Sequence, residues 1–565
     1  MKNTKSYIAD LHVHSRYSRA TSKDCSPETL ELWARRKGID IVGTGDFTHP
    51  AWREELKEKL IPAENGLYVL KEEYRIKDSI TDDNRKPRFV VSGEISSIYK
   101  KGDRVRKIHN LILLSSLEDA ENLSHKLETI GNIHSDGRPI LGLDSRDLLE
   151  ITLEICKDAI FVPAHIWTPH FSLFGAFSGF DRIEDCFEDL TPYIHALETG
   201  LSSDPAMNWR LSALDRYQLI SNSDAHSPSK LGREANLLDI ELSYQGLEGA
   251  IQRGKGFCGT IEFFPEEGKY FLDGHRKCNL SLTPAETKKY NGICPVCGRK
   301  ITIGVLHRVE ELADREEGFV LPTAKGFESL VPLPEVIASA MGCAVTSSKV
   351  NVQYEKMLRE LGAEFSILRE IPLEDIRHCV GNFLEEGIHR LRTGQVERTA
   401  GYDGEYGVIQ VLKKEETDNV YGQVSLFDSM IFSSETAVTE EKEEQQKMDI
   451  LKEEEKKNLK EETKEALNEE QMAAVCAKEE VISVIAGPGT GKTKTLIERI
   501  VYLISECQVN PAQIRAVTFT NKAAQEMRER LEKRLSGKKA IEGIEIGTFH
   551  GICYQMLLKS EKEWI

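Results

Sequence analysis

Asp10-Leu11-His12-Val13-His14-Ser15 is the stretch that decides the fold, and it ends an apolar run that begins at Tyr7, near the start of the 565-residue chain. Side chains of a β-strand alternate between its two faces, so the histidines at positions 12 and 14 project from the same face. Two imidazoles on one face can chelate one metal ion. The stretch therefore predicts a strand that ends in a metal site.

Further apolar runs of strand length follow this one, and charged, helix-like segments separate most of them. The predicted runs are Tyr7 to His14, Ile39 to Asp46, Phe89 to Glu94, Ile108 to Leu114, Ile160 to His165, Ile194 to Glu198 and Leu219 to His226. Buried strands that alternate with helices predict an α/β fold with a parallel sheet. In an α/β barrel of this kind, catalytic groups gather at the carboxyl ends of the strands.

Metal-type side chains end six of these runs, whereas the run from Ile108 carries its histidine at its start. The predicted ligands are His12, His14, Asp46, His49, Glu94, His109, His165, Glu198, Asp224 and His226. Any one of them is equally well explained as a strand cap, but the whole set at successive strand ends favours metal binding. Carboxylates with imidazoles suit Zn²⁺ or Mn²⁺, with Mg²⁺ as an alternative, and Glu94 can bridge two ions. Such a centre activates water and clamps the oxygens of a phosphodiester, with His12, His14, Glu94 and Asp224 as its catalytic residues.

An aromatic-rich segment follows His165 and runs from Trp167 through His170 and Phe171 to Phe174 and Phe180. Aromatic faces can stack on bases that have been extruded from a duplex. A plain hydrophobic lid over the site would have the same composition. The sequence leaves both interpretations open.

A second ligand pattern, His275-x₂-Cys278-x₁₅-Cys294-x₂-Cys297, has the paired-knuckle spacing of a tetrahedral structural zinc site. Pro295 and Gly298 favour the tight turn that such a site needs. The alternative is a set of free thiols and a surface histidine. Residues 301–412, which follow, show helical apolar spacing and predict a helical module.

The composition predicts a globular protein rather than a membrane protein, with 40% hydrophobic and 29% charged residues and no long apolar run. The first residues predict no secretory signal, so we expect a cytoplasmic location. Twelve cysteines are too few for a disulfide framework in a chain of this length. The net charge of −18 argues weakly against a nucleic-acid binder, but a locally basic groove remains compatible with it.

An acidic, Glu/Lys-rich segment from Glu435 to Glu465 predicts a linker or a lone solvated helix. Before it lies Gln423-Val-Ser-Leu426-Phe427, an anchor-and-plug pattern on a predicted tether. It resembles the Gln-x-x-Leu-Phe peptide by which bacterial repair proteins hold the DNA sliding clamp, which implies the clamp as a partner. A chance match of five residues is the alternative.

A phosphate-binding loop follows the linker, between the apolar run Val481 to Ile485 and a helical segment. Its predicted nucleotide-binding residues are Gly487, Gly489, Gly491, Lys492 and Thr493, with Mg²⁺ held by the threonine. Together with Gln471, these residues resemble the early motifs of superfamily 1 helicases of the UvrD type. No Walker B pair or second motor lobe follows up to Ile565, so we expect ATP binding at most, or an inactive remnant.

Asp10 to Ser15 and Ser223-Asp-Ala-His226 resemble the PHP (polymerase and histidinol phosphatase) metallophosphoesterases over about residues 1–265. The resemblance implies a multinuclear centre near Asp46, with the ligands His12, His14, Glu94, His109, His165, Asp224 and His226. Two positions depart from the family pattern, which usually has Asp where this chain has Arg19 and an Asp-His pair at Asp46-Phe47. With the zinc pattern and Gly401-Tyr-Asp-Gly404, the chain resembles the endonuclease Q family of DNA-repair nucleases. That resemblance implies nicking on the 5′ side of hypoxanthine, uracil and abasic sites.

We therefore predict five segments along the chain. They are a PHP-type barrel over 1–265, a zinc ribbon over 266–300, a helical module over 301–412, a linker with the clamp-like motif 423–427 over 413–466, and a partial P-loop (RecA-like) lobe over 467–565. The predicted function is a metal-dependent DNA endonuclease. The alternatives are a small-molecule phosphatase and an ATP-regulated scaffold on the sliding clamp.

Overall fold

The computed structural model describes residues 6–81, 84–412, 469–477, 482, 484, 492–518, 521–535, 543–549 and 552–553. The chain divides into two compact units, Met1–Ile431 and Phe432–Ile565. The predicted linker, the clamp-like motif 423–427 and the glycines of the phosphate-binding loop lie outside the described residues. No helix within the described ranges has both the length and the apolar character that crossing a membrane requires.

The strands of the first unit are short, except for one long hairpin. They are β1 Tyr7–Asp10, β2 Ile41–Gly43, β3 Leu60–Pro62, β4 Tyr68–Leu70, β5 Arg88–Lys101, β6 Arg104–Leu114, β7 Ile140–Leu141, β8 Ile160–Pro163, β9 Ala196–Glu198, β10 Gln218–Ile220, β11 Ala235–Leu238, β12 Phe257–Glu262, β13 Asp273–His275, β14 Leu280–Leu282, β15 Gly326–Ser329, β16 Glu397–Thr399 and β17 Val408–Gln410.

Helices alternate with these strands and then dominate after residue 333. They are α1 Pro27–Lys37, α2 Pro50–Lys59, α3 Leu117–Glu128, α4 Ser145–Ile155, α5 Ile183–Phe187, α6 Pro205–Asn208, α7 Tyr244–Arg253, α8 Pro284–Lys289, α9 Val305–Leu312, α10 Leu333–Met341, α11 Ser348–Leu361, α12 Glu364–Arg369, α13 Leu373–Val380 and α14 Asn382–Arg392. The mixed α/β fold expected from the alternation is confirmed.

Strands from all the predicted runs form a closed ring, which we call the strand ring. Its order is β1-β2-β5-β6-β8, continued by the parallel pair β9-β10. The Ile166 amide donates to the Glu198 carbonyl at 3.0 Å and so joins β8 to β9, and the His14 amide donates to the Ala225 carbonyl at 3.0 Å and so joins the segment after β10 back to β1. The ring encloses apolar side chains such as Leu11 and Val162.

The prediction of a wholly parallel sheet is wrong at β6. This strand is antiparallel to β5 over its whole length and antiparallel to β8. Only Gly102 and Asp103 separate β5 from β6, and a parallel partner would need a crossover of about a dozen residues or more. The β6 strand therefore begins at the end of the ring where its parallel neighbours finish.

Helices α10 to α14 pack together and against the ring in one continuous core with residues such as Leu333, Met357 and Ile388. Lys37 of α1 pairs with Glu364 of α12 at 2.8 Å, both nearly buried. The predicted zinc ribbon and helical module therefore share one compact unit with the ring rather than forming separate bodies. The boundaries predicted at residues 265 and 300 stay predictions.

The second unit contains α15 Glu469–Cys476, α16 Lys492–Ser505, α17 Asn521–Arg534, β18 Arg515–Thr518 and β19 Glu545–Thr548. The two strands pair in parallel, from Arg515 opposite Glu545 to Thr518 opposite Thr548. Helices α16 and α17 contribute Ile497 and Leu531 to a small core with these strands. Parallel strands joined by a helix are typical of α/β nucleotide-binding lobes.

Candidate metal centre

His12 and His14 lie just beyond β1 at the mouth of the strand ring, the end at which the predicted ligands meet. The Nε2 atoms of both histidines and Oδ1 of Asp224 lie within 4.8 Å of one another. These three atoms are buried, and although Nε2 of His14 lies 3.0 Å from Oδ1 of Asp224, none of them makes a hydrogen bond of regular geometry within the described part of the chain. A buried polar atom without a partner is costly, and a cation at this point would satisfy all three.

A second group is formed by Glu94, His109 and His165, again with ligand atoms within 4.8 Å of one another. Oε1 of Glu94 lies 2.7 Å from Nδ1 of His109 and 2.9 Å from Nε2 of His165. All three residues are buried. The donors in this group, two imidazoles and one carboxylate, suit a borderline divalent cation.

Glu94 stands between the two groups. Its Oε1 belongs to the second group, and its Oε2 lies 3.5 Å from Nε2 of His14 in the first. A carboxylate placed in this way can bridge two ions, which was the expectation for Glu94.

His109 reaches the mouth because β6 runs antiparallel to its neighbours. The residue lies in the middle of β6, near the start of the predicted run Ile108 to Leu114, and pairs with Ser96 of β5, two residues beyond Glu94. In a parallel strand, a histidine at the start would lie at the opposite end of the ring. The reversed strand thus explains why this one ligand begins its run while the others end theirs.

Two predicted ligands, Glu198 and Asp46, lie behind the histidines. Glu198 contacts Nδ1 of His12 at 3.0 Å with both oxygens and accepts the His165 amide at 2.8 Å. Asp46 contacts Nδ1 of His14 at 3.1 Å and accepts the Ser15 amide at 2.7 Å. Each carboxylate holds a proton on Nδ1 and leaves Nε2 of its histidine free for a ligand role. The structure thus places both carboxylates as partners of the histidines, outside the two ligand groups.

His226 and His49 also lie outside the two groups. His226 contacts the Asp224 carbonyl through Nδ1 at 2.9 Å, and its ring centre is 4.5 Å from that of His14. Its side chain is 32% exposed, so it lines the open side of the mouth. His49 instead precedes α2, with Nε2 3.0 Å from the His134 carbonyl. The ligand roles of both residues stay predictions.

The electrostatics of the mouth favour a cation. Burial alone lowers the pKa of His14, but the carboxylates of Asp224 and Asp46 beside its ring outweigh this effect and raise that pKa to about 9. Burial opposes ionisation of Glu94, yet His109, Arg138 and His12 hold its pKa well below the usual range. The carboxylates are thus ionised, and protons and metal ions compete for the same nitrogens.

Three residues at the mouth have a strained backbone. Asp46, His165 and Asp224 have φ values of 49°, 30° and 46°, in the left-handed region that non-glycine residues rarely adopt. Such strain persists only where surrounding contacts fix it, and it is common at functional sites. Each of these residues ends a strand run, so the turn aims its side chain across the mouth.

Arg138 lies at the mouth, and the sequence analysis did not predict it as a site residue. Its Nη1 donates to Oε2 of Glu94 at 3.0 Å, and its side chain is only 24% exposed. It lies in a segment without regular structure between α3 and β7, so neither strand periodicity nor a ligand pattern pointed to it.

The aromatic segment after His165 contains both buried and exposed rings. Trp167 and Phe174 are buried in the core and serve as packing. Phe177 is 53% exposed, and its ring stacks on that of His170 with centres 4.6 Å apart. Phe171 lies against His109, with ring centres 4.9 Å apart. The buried rings of this segment therefore pack in the core and support one exposed aromatic pair near the mouth.

His275, Cys278, Cys294 and Cys297 meet in a cluster separate from the mouth, with their ligand atoms within 4.8 Å of one another. The hairpin of β13 and β14 positions the first pair, and a turn ending at Gly298, with φ of 71°, positions the second. Nδ1 of His275 lies 3.2 Å from Sγ of Cys278 and 3.3 Å from Sγ of Cys297. Three thiols and one imidazole are a donor set that suits tetrahedral zinc.

The strand ring and the carboxylate between the two groups define the class: a mixed α/β protein whose ring mouth carries two groups of metal-type side chains. Such arrangements are used for phosphoester hydrolysis. Among solved structures, the chain is similar to the lesion-specific endonuclease PfuEndoQ from Pyrococcus furiosus, with 29% identity, a TM-score of 0.63, and coverage of 74% of this chain and 99% of that one. A structure of endonuclease Q with a 27-mer duplex that has an abasic lesion at the active site matches with the same identity and TM-score, over 73% and 98%.

Curated relatives match parts of the chain. YqxK of Bacillus subtilis is 28% identical over 425 residues, which are 72% of this chain and 100% of YqxK. MJ0043 of Methanocaldococcus jannaschii is 31% identical over 285 residues, 48% of this chain, so the match spans only 35% of MJ0043. The model of the MJ0043 C-terminal domain matches residues 332–395.

The carboxyl-terminal part matches a different family. The model of the UvrD/REP helicase N-terminal domain matches residues 467–564. The helicase SRS2 of Saccharomyces cerevisiae is 48% identical over 90 residues, which are 15% of this chain and only 8% of that helicase. The two resemblances expected from the motifs, to endonuclease Q and to UvrD-type helicases, are thus confirmed.

Proposed function

We propose that the chain is a metal-dependent DNA endonuclease with a PHP-type barrel, which nicks DNA on the 5′ side of deaminated bases and abasic sites. The observation that carries the proposal is the pair of ligand groups joined by Glu94 at the mouth of the ring. The similarity to a nuclease that was solved with a lesion duplex at its active site supports DNA as the substrate. Cleavage would leave a 3′-hydroxyl and a 5′-phosphate.

The residues present fit two divalent cations. His12, His14 and Asp224 would hold one, and Glu94, His109 and His165 the other. Bound cations of this kind supply a hydroxide nucleophile at neutral pH and screen the charge of a phosphodiester. Glu198 and Asp46 fix the histidines so that no reorganisation is needed when substrate binds.

The exposed pair of Phe177 and His170 supports recognition of an unstacked base. The two rings stack on each other near the mouth. Arg308 stabilises the same segment, because its Nε donates to the Phe174 carbonyl at 3.0 Å. A rigid aromatic face offers about 1–3 kcal/mol of stacking per base. Lesions lower the cost of extruding a base, so such a surface would favour damaged sites.

The test is a nicking assay on duplexes that each contain one deoxyinosine, one deoxyuridine or one abasic site, with Mg²⁺, Mn²⁺ or Zn²⁺ added and the product ends mapped. We expect cleavage on the 5′ side of the lesion, and none in an undamaged duplex. Asp224→Asn should abolish it, and Asp103→Asn, on the exposed turn between β5 and β6, should not. Intact lesion duplexes with metal bound would refute the proposal, and phosphate release from small phosphomonoesters would favour a phosphatase.

We also propose ligands for the other parts of the chain. The cluster of His275 and three cysteines would hold a structural Zn²⁺ in a zinc ribbon. The UvrD-type segment would bind ATP with Mg²⁺ through Gln471, in α15, and the P-loop residues up to Thr493. The clamp partner depends on Gln423, Leu426 and Phe427, which lie outside the described residues. Equilibrium dialysis with ATP and a pull-down with the sliding clamp test the last two.

A further inference from the structure

The segment 132–139, which we call the 132–139 loop, has no regular secondary structure but crosses beside the mouth and is held at several points. The Gly137 amide donates to the Tyr17 carbonyl at 3.0 Å. Thr48 donates to the Gly137 carbonyl at 3.2 Å, and Nε2 of His49 lies 3.0 Å from the His134 carbonyl. The loop is thus fixed by residues that surround the ligands. This also gives a role to His49, which lies outside both ligand groups.

Gly137 lets the loop pack directly on the carboxylate that orients His14. A Cβ added at Gly137 would lie 2.3 Å from Oδ2 of Asp46, so no other residue fits without displacement. This close approach places the following residue, Arg138, at the open side of the mouth. Asp46, which orients His14, therefore also positions the loop that carries the arginine.

Arg138 uses little of its hydrogen-bonding capacity within the protein. Nη1 donates to Oε2 of Glu94 at 3.0 Å. Nε and Nη2 make no hydrogen bond to any residue in the described ranges, although the side chain is three-quarters buried, with 24% exposed. A guanidinium has five N–H donors in a fixed fork that matches phosphate oxygens. Spare donors beside the ligands, on the same open side as Asp224 with its 27% exposure, are available to an anion that enters the mouth.

We infer that Arg138 is a phosphate-binding residue: its guanidinium, anchored by Glu94 and the 132–139 loop, binds a non-bridging oxygen of the scissile phosphodiester. The inference rests on the proposed nuclease function and adds a residue to it. The competing role is that of a counter-ion which only neutralises Glu94. The two roles differ in what they affect, because a counter-ion changes metal binding and a phosphate ligand changes DNA binding and turnover.

The first test compares wild type with Arg138→Gln and Arg138→Lys in the lesion nicking assay, with bound metal measured on the same samples. We expect Arg138→Gln to lower kcat/KM by about 100-fold, the effect of losing one charge-stabilising donor. Bound metal should be unchanged, and Arg138→Lys should lie between the two because it keeps the charge but loses the fork. Wild-type turnover by Arg138→Gln, or a loss of metal that matches the loss of activity, would overturn the inference.

The second test measures the affinity for a lesion duplex in the Asp224→Asn background, which we expect to leave the duplex uncut. Adding Arg138→Gln should weaken binding and lower the slope of log affinity against log salt by about 1. The matched control is Arg253→Gln, a partly exposed arginine of α7 that lines a cavity with His195 and Gln218, at the opposite end of the ring strands. Equal affinity for both double variants would overturn the inference. If wild type nicks no duplex, the proposed function fails, but this affinity comparison still decides the role of Arg138.

Discussion

The two ligand clusters of this chain differ in how far apart their residues lie in the sequence. The mouth of the strand ring draws its ligands from His12 to Asp224, on several different strands. The cysteine cluster draws all four from His275 to Cys297, on one hairpin and one turn. The first is buried except for the partly exposed Asp224, and Glu198 and Asp46 lie behind it. The second is half exposed, with Cys297 open to solvent.

This difference predicts where the fold creates the metal site and where bound metal contributes to folding. The mouth exists only once the ring has closed, so the fold creates that site and should survive without its ions. The cysteine cluster is spanned by short elements with a core of three buried residues, Leu282, Cys294 and Ile301. Such a small core cannot offset the entropy of ordering its chain, so metal would contribute to its folding.

The largest effect is expected from disrupting the group of ligands at the mouth of the strand ring. Asp224→Asn keeps a residue that tolerates the left-handed backbone at φ of 46°, but it removes the charge that faces His12 and His14. Metal ions supply several kcal/mol of charge stabilisation, which corresponds to a loss of nicking of about 1,000-fold or more. The melting temperature should change little. Substantial unfolding in circular dichroism would contradict the claim that the fold makes this site.

Disrupting the cluster of His275 and three cysteines should instead unfold the hairpin and the turn that carry it. Cys294→Ser is expected to release one zinc ion per chain and to expose the amides of Asp273–His275 and Leu280–Leu282 to hydrogen exchange. Comparable small sites draw about 10 kcal/mol or more of apparent binding energy from zinc at pH 7. The strands of the ring should keep their protection. Unchanged exchange in β13 and β14 would show that this cluster, too, is a product of the surrounding fold.

A smaller effect is expected from the carboxylates behind the histidines. Glu198→Gln keeps the shape of the side chain but weakens the contact with His12 that leaves its Nε2 free. Loss of an outer partner of this kind costs about 10- to 100-fold in metal affinity or activity. Metal titration followed by calorimetry measures it. The matched control Glu241→Gln, on the surface, should bind as wild type does.

The smallest effect concerns buried carboxylates one layer further from the mouth. Burial raises the pKa of Glu262 to about 8, despite hydrogen bonds from Thr260, Ser221 and Thr199. Above pH 4.5, the unfolded chain has released this proton and the folded chain still holds it. The stability that this proton contributes is therefore complete at about pH 4.5 and below, and is lost as the pH rises to about 8, by at most about 1.4 kcal/mol for each pH unit.

Glu262→Gln removes this titration. We expect the variant to melt a few degrees higher than wild type at pH 8.5 and to lose that advantage at pH 5. Differential scanning calorimetry at both pH values measures the difference. A constant difference between the two proteins would mean that Glu262 is already ionised in the folded state.

Part of the mouth was predictable because strand periodicity and residue chemistry act locally. His12 and His14 share a face whenever their stretch is extended, and Glu94, His165 and Asp224 each follow an apolar run. The antiparallel course of β6 was missed because an apolar run looks the same in either direction. The Gly102-Asp103 turn between two runs was the available signal for a hairpin.

Other assignments depended on distances that no local pattern encodes. Glu198 and Asp46 have the chemistry of ligands and the right place at strand ends, but they contact Nδ1 of the histidines instead. Arg138 lies in an irregular loop and becomes part of the mouth only because Gly137 can approach Asp46. A shift of a few ångströms separates a ligand from its supporting partner.

The amino-acid sequence by itself determined the strand runs, the metal-type chemistry at their ends and the complete cysteine cluster, because each depends on neighbours within a few tens of residues. Tertiary structure alone decided which carboxylate lies between the two groups at the mouth, which ones contact Nδ1 of a histidine, and which arginine reaches the mouth. These choices depend on how strands far apart in the chain close into a ring, where hydrogen bonds and excluded volume fix each side chain.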